Sequence, residues 1–178
     1  MKDWILECVN IPNDIPFLFA AMTAEDQYLY STKLSFFSIQ DFERWFCCRI
    51  KNEFHDFLIV KDAHSLKALG YVHNYDFSLI HGHCKMVVYI IPERRETGIG
   101  GIAAITFMKE LFSAYPIRKI YSTVYDYNKE SLRSNFNAGF IEEGTLKDYR
   151  YYDGNYHSIH YLSMSREHFE RTISKFVK

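Results

Sequence analysis

Between a strand-like apolar run (Met86 to Ile91) and a helix-like one (Ile102 to Phe112), the chain carries Pro92-Glu93-Arg94-Arg95-Glu96-Thr97-Gly98-Ile99-Gly100-Gly101. This order predicts a strand, a short loop and the start of a helix, with glycines where the helix opens. The first amides of a helix have no intrahelical acceptor and carry a partial positive charge, so they suit phosphate oxygens. Glycine lets the backbone approach a ligand because no Cβ intervenes. Arg95-x-x-Gly98-x-Gly100 therefore reads as a pyrophosphate cradle.

Two other phosphate loops can be compared with it. A Walker A loop needs Lys-Ser or Lys-Thr after its glycines, and none follows here. A dinucleotide fingerprint needs Gly-x-Gly-x-x-Gly after the first strand of a βαβ unit. Here Gly98-Ile99-Gly100 leads to Ala103, which that fingerprint tolerates, but the motif lies past mid-chain. The dinucleotide reading stays open as an alternative.

A second pattern follows. After a strand-like run from Ile120 to Tyr125 come Asn128-x-x-Ser131 and then Ala138-Gly139-Phe140. Together the two patterns, spanning 84–164, resemble the GNAT superfamily of acyl-CoA-dependent N-acyltransferases. The resemblance implies that Arg95, Glu96, Thr97, Gly98, Ile99, Gly100 and Gly101 cradle the pyrophosphate of acetyl-CoA, chiefly through backbone amides. It implies that Val88, Tyr89 and Ile90 run along the pantetheine arm like an added strand, and that Asn128 and Ser131 flank it. The implied reaction is attack of an amine on the acetyl thioester. It needs an amine freed of its proton, a donor for the oxyanion and a proton for the departing thiolate.

The resemblance leaves two of these tasks without their usual residues. Many members place a Tyr seven residues after the Asn, and that position is Asn135. Ser131 is then the candidate donor toward the sulfur. Members often carry a Glu on the strand before the cradle, and Gly82 to Ile91 holds none. His83 is the group there that titrates near neutrality, and a water relay is the alternative. His81 and His83 share a strand face, but two His make a poor metal site, and no metal is expected.

The remaining sequence bounds the molecule. A length of 178 residues with 48% hydrophobic and 24% charged residues predicts one globular domain over 1–178. A net charge of −1 gives no electrostatic draw to nucleic acid or anionic membrane. Cys8, Cys47, Cys48 and Cys84 form no metal-type pair and read as reduced thiols. Met1-Lys2-Asp3-Trp4 lacks a secretory signal and no run approaches ~18 apolar residues, so a cytoplasmic location is expected.

Coarse patterning completes the reading. Trp4 to Val9 suggests a strand, and Pro12-Asn13-Asp14 a helix start capped by Asn13 or Asp14. Ser38, with Asp41 three residues on, predicts the cap of a helix from Ile39 to Ile50. Phe57 to Val60, Ala68 to Val72 and Met86 to Ile91 read as strands, the last covered on both faces. Ile102, Ile105, Met108 and Phe112 form one helical stripe, ended at Pro116. Gly139 is a left-handed helix cap, Asp153-Gly154 a hairpin turn, and Arg166 to Phe176 a closing helix. The expected fold is α/β with α+β character: a GNAT-like, mostly antiparallel twisted sheet of six to seven strands, with a splayed parallel pair and four to five helices. It implies an acetyl-CoA-dependent N-acetyltransferase acting on a protein N-terminus or a small amine such as an amino sugar, as a monomer or homodimer. A non-catalytic acyl-CoA-binding module on the same fold is the alternative. Tyr28, Tyr30, Phe36, Phe37, Tyr149, Tyr151, Tyr152 and Tyr156 are candidates for the acceptor side, having apolar bodies and, for Tyr, polar tips. No acidic cluster marks a polyamine site.

Overall fold

The computed structural model describes residues 3–29 and 34–176. Seven strands are hydrogen-bonded in the order β1-β2-β3-β4-β5-β7-β6. They are β1 (Trp4–Cys8), β2 (Phe54–Asp62), β3 (Ala68–Ser78), β4 (His83–Ile90), β5 (Lys119–Tyr125), β6 (Ile141–Tyr152) and β7 (Asn155–Ser165). The helices among the described residues are α1 (Ile15–Thr23), α2 (Ile39–Asn52), α3 (Ile99–Ala114), α4 (Lys129–Asn137) and α5 (Arg166–Phe176). Pairs β1–β2, β2–β3, β5–β7 and β6–β7 are antiparallel, whereas β4 and β5 are parallel. A parallel pair needs a crossover, which α3 supplies.

The chain forms two interleaved compact units, 1–76 with 87–104, and 77–86 with 105–178. The first is built on an aromatic core. Ile15, Leu18 and Met22 of α1 and Phe42 and Phe46 of α2 are buried with Phe57, Ile59, Tyr71 and Tyr89 of the strands. Phe57 meets Phe46 edge-on at 5.1 Å, and Tyr71 stacks on Tyr89 at 5.1 Å. Such pairs contribute beyond their buried area. The α2 start is as the sequence predicts. Ser38 Oγ accepts from Asp41 N (3.1 Å) and donates to Asp41 Oδ2 (2.8 Å). Asp14 stands at the α1 N-cap position, but its carboxylate does not cap the helix. It is buried, accepts from Asn10 N and pairs with Lys61 at 3.1 Å, because a buried charge needs an opposite one.

β3 and β4 approach unusually closely at Gly70. A Cβ there would stand 2.1 Å from the Tyr89 carbonyl oxygen and 3.1 Å from Ile90 Cα. Glycine is therefore required for β4 to run where it does. His73, buried on β3, stacks on Phe57 at 5.0 Å, and burial lowers its pKa to about 3, so it is neutral.

The second unit carries the β6–β7 hairpin and the helices α4 and α5. Asp153 (φ 48°) and Gly154 (φ 79°) make the tight turn that Asp-Gly predicts. At the α4 C-terminus, Gly139 adopts φ 93°, with Phe140 N bonded to Asn135 O and Gly139 N to Phe136 O. That pair of bonds is a Schellman cap. Arg166 donates to the carbonyls of Ile117, Tyr115 and Phe112, tying the start of α5 to the end of α3.

The stripe on α3 differs from the expected one. Met108 (0%) and Phe112 (5%) are buried, but Ile102 is 48% exposed. The buried face runs instead through Ala103, Phe107 and Leu111. The stretch Ile-Ala-Ala-Ile-Thr-Phe-Met is apolar at nearly every position, so spacing alone fits more than one face. β4 is likewise not covered throughout: Met86, Tyr89 and Ile90 are buried, while Val87, Val88 and Ile91 are half-buried. No helix among the described residues is long and apolar enough to cross a membrane.

Candidate active site

β4 pairs with β5 over His83–Lys85 alone. From Met86 onward its β5-facing backbone groups are not used by that strand, and β4 then ends at the glycine loop. The loop opens with a short turn, Pro92–Arg94, in which Arg94 N donates to Ile91 O and Arg95 N to Pro92 O. Thr97 Oγ1 donates to Arg94 O at 2.7 Å and so closes it. Glu96 (φ 60°) and Gly98 (φ 83°) both adopt left-handed backbone. For a non-glycine residue this conformation is strained and persists only where the surroundings demand it.

The first α3 bond runs from Ile102 N to Gly98 O at 3.1 Å. The amides of Ile99, Gly100 and Gly101 thus precede the helical ladder, where a helix presents its unpaired donors. A Cβ on Gly98 or Gly101 would meet nothing within 4 Å, and one on Gly100 would lie 3.3 Å from Ile90 Cγ1. The approach to these amides is therefore clear of side chains, as an anion cradle requires. The fit to a pyrophosphate is good.

Arg95 is placed differently from a free phosphate ligand. Its Nε donates to Ile90 O (3.0 Å), its Nη2 pairs with Asp26, and its guanidinium lies 5.6 Å from the Tyr89 ring centroid. Asp26 comes from the helical turn Glu25–Leu29, so Arg95 pins that segment to the end of β4. Burial first, then the Asp26 charge, pushes the Tyr89 hydroxyl up to about 12. Tyr89 is therefore a neutral packing residue.

In the second unit, Asn128 is the N-cap of α4, its Oδ1 accepting from Ser131 N at 3.1 Å. Ser131 is half-buried in that first turn. Asn135 Nδ2 donates to Ser131 O (2.8 Å) and to Ser131 Oγ (3.3 Å). The residue in the expected acid position thus donates to the serine oxygen, leaving the hydroxyl proton available to another acceptor. His83 lies on the paired start of β4, 6.0 Å from the His81 ring and edge-on to Tyr121 at 5.6 Å. It is five residues before Val88, ~17 Å of strand.

A grouping that the sequence did not disclose lies at the end of β5. Asp126 Oδ1 bonds His157 Nδ1 at 2.9 Å, and Asp126 Oδ2 accepts from Ser158 N at 2.9 Å. Tyr127 meets the His157 ring edge-on at 4.8 Å, and Tyr152 lies 5.2 Å from Tyr127. Burial works to raise the Asp126 pKa, but the Ser158 amide and His157 outweigh it and hold the carboxyl below its usual range. Asp126 and His157 stand 31 positions apart, and only the pairing of β5 with β7 joins them.

Of the aromatic acceptor-side candidates, Phe36 packs on Phe42 at 5.3 Å and belongs to the core. Phe37, Tyr149, Tyr151 and Tyr156 are exposed, with Tyr151 and Tyr156 forming a cross-strand pair. Tyr28 is half-buried, and Tyr30 lies outside the described residues. Among the described residues no three His, Cys, Asp or Glu side chains group to hold a metal.

The strand order and the parallel β4–β5 pair joined by α3 place the glycine loop at the α3 N-terminus. No family model matches the chain. An uncharacterised N-acetyltransferase of Bacillus subtilis derived from the SPbeta prophage is 25% identical over 120 residues, 67% of this chain and 66% of that protein. The fold is similar to that of a spermidine N-acetyltransferase from Vibrio cholerae, solved with CoA and spermine. The TM-score is 0.86 at 18% identity, covering 96% of this chain and 99% of that one. A chimera of the same Vibrio enzyme aligns with TM-score 0.82 at 19% identity, covering 95% and 99%.

Proposed function

We propose that this chain is an acetyl-CoA-dependent N-acetyltransferase that moves an acetyl group to a primary amine. One observation carries the reading: β4 stops pairing with β5 after Lys85 and leads into a strained glycine loop whose helix presents three amides ahead of its ladder. The named activity of the Bacillus relative and the CoA bound by the Vibrio enzyme support it. In this reading the amides of Glu96 to Gly101 hold the pyrophosphate. The backbone of Val88, Tyr89 and Ile90 pairs with the pantetheine amides, and one of its N–H groups donates to the oxyanion. The paired guanidinium of Arg95 shapes the loop and adds positive potential to it.

The acceptor is an exposed amine, of a protein N-terminus or of a small molecule such as an amino sugar. The polyamine of the Vibrio structures, spermidine or spermine, is the competing choice. A thiol-release assay over peptide N-termini, amino sugars and spermidine tests the class. Saturable binding of acetyl-CoA without amine-dependent release would instead select a non-catalytic acyl-CoA-binding module.

Ser131 is assigned to the departing thiolate, with Asn128 fixing its turn. An interaction made mainly in the transition state lowers kcat without raising KM. Ser131→Ala is therefore expected to cut turnover roughly tenfold, about 1.4 kcal/mol of barrier. The KM for acetyl-CoA should stay nearly unchanged. Steady-state kinetics checks this, and full turnover in the variant removes the assignment.

A further inference from the structure

The sequence offers His83 as the group that deprotonates the amine, but the structure places that residue on the paired beginning of β4. A different histidine has the bonding of a base. We infer that His157, oriented by Asp126, is the general base of the transfer reaction. This rests on the transferase reading above.

The Asp126 carboxylate is held ionised and is fixed by two bonds, one from Ser158 N and one to His157 Nδ1. An ionised carboxylate accepts, so Nδ1 carries the ring proton and Nε2 presents its lone pair. That is the tautomer a base needs, and the orienting carboxylate also stabilises the imidazolium that forms. The ring is braced by Tyr127, and about a fifth of the side chain, 21%, stays accessible. Partial exposure with a fixed orientation suits proton transfer better than full burial does. His73 provides the contrast, being sealed and neutral.

The pair sits beside the α4 cap. Asp126 N donates to Ser158 O, and Asn128 N donates to Tyr125 O, so the turn that carries Asp126 runs directly into the α4 cap. The base and the Ser131 donor thus flank one β5–α4 junction within the same unit. The charged and titratable groups facing the pair are Lys129, whose charge reaches Asp126, and Arg150, the β6 residue opposite His157. Arg150 lies over Tyr125 at 4.6 Å and over Tyr152 at 5.8 Å, and Tyr127 completes the surround.

In the step, His157 Nε2 takes one proton from the substrate ammonium. The free amine adds to the thioester carbon. The C–N bond forms, the C–S bond breaks, and the electron pair leaves on sulfur. The second proton lost by nitrogen goes to the thiolate, and the imidazolium returns its proton to water.

The test compares pH–rate profiles of wild type, His157→Gln and Asp126→Asn with an amine that wild type acetylates, with thermal melts as folding controls. His157→Gln is expected to lose ~10²-fold or more in kcat at neutral pH. The KM for acetyl-CoA should be unchanged, and the loss should shrink as pH rises toward the amine's own pKa. Asp126→Asn keeps the ring but removes the carboxylate that sets its tautomer, so it should show a comparable loss and a displaced acidic limb. It carries the test if His157→Gln fails to fold. A folded His157→Gln variant within threefold of wild type at neutral pH overturns the base. So does an unmoved acidic limb in Asp126→Asn. If wild type itself releases no thiol with any amine, the transferase reading falls first and the base with it.

Discussion

Gly100→Asp is expected to weaken acetyl-CoA binding by at least ~2 kcal/mol, roughly 30-fold, because it places a carboxylate among amides that would otherwise donate to phosphate oxygens. Two effects add. A Cβ at this position lies 3.3 Å from Ile90 Cγ1, so the side chain crowds β4, and its charge repels the anion. Gly101→Asp separates them, since a Cβ there meets nothing within 4 Å. An acidic side chain in the first turn of a helix stabilises the free helix by ~0.3–1 kcal/mol. Gly101→Asp should therefore keep or raise the melting temperature while lowering affinity. Calorimetric titration of both folded variants checks this. Unchanged affinity in both removes the pyrophosphate assignment.

Gly70→Ala is expected to destabilise the fold by ~3 kcal/mol, the upper end of the range for overpacking. The added Cβ would sit 2.1 Å from a backbone carbonyl, that of Tyr89, and no rotamer change relieves a clash with backbone. β3 and β4 must separate, and the shift falls on Tyr89 and Ile90, the residues assigned to the pantetheine arm. The variant should therefore lose acetyl-CoA affinity as well as stability. Chemical denaturation measures the first effect and calorimetry the second. A midpoint equal to that of wild type would show that the close approach is not a constraint.

These two glycines show how unevenly the structure was legible in the sequence. Gly100 could be read because it belongs to a local motif, strand to loop to helix, and local motifs need no knowledge of distant partners. The same holds for Ser38 with Asp41, for Gly139 at the α4 end and for Asp153-Gly154, each of which the structure reproduces. Gly70 carries no local signal, because its constraint comes from a strand some twenty residues away. Asp126 and His157 were missed for the same reason, as was the tie between Asp26 and Arg95. The α3 stripe went wrong because a wholly apolar segment satisfies several helical phases at once. Of the two cap candidates, Asn13 and Asp14, the latter stands at the N-cap position, but Lys61 on β2 claims its carboxylate.

The proposed reaction moves the acetyl group of acetyl-CoA to an amine and frees the CoA thiol. The most direct test mixes the purified chain with acetyl-CoA and the amine panel, and follows free thiol and N-acetylated acceptor together. Amine-dependent release of CoA thiol is expected, matched one for one by acetylated product and abolished when either substrate is omitted. Release no faster than the uncatalysed reaction with every amine, while acetyl-CoA still binds, would contradict it.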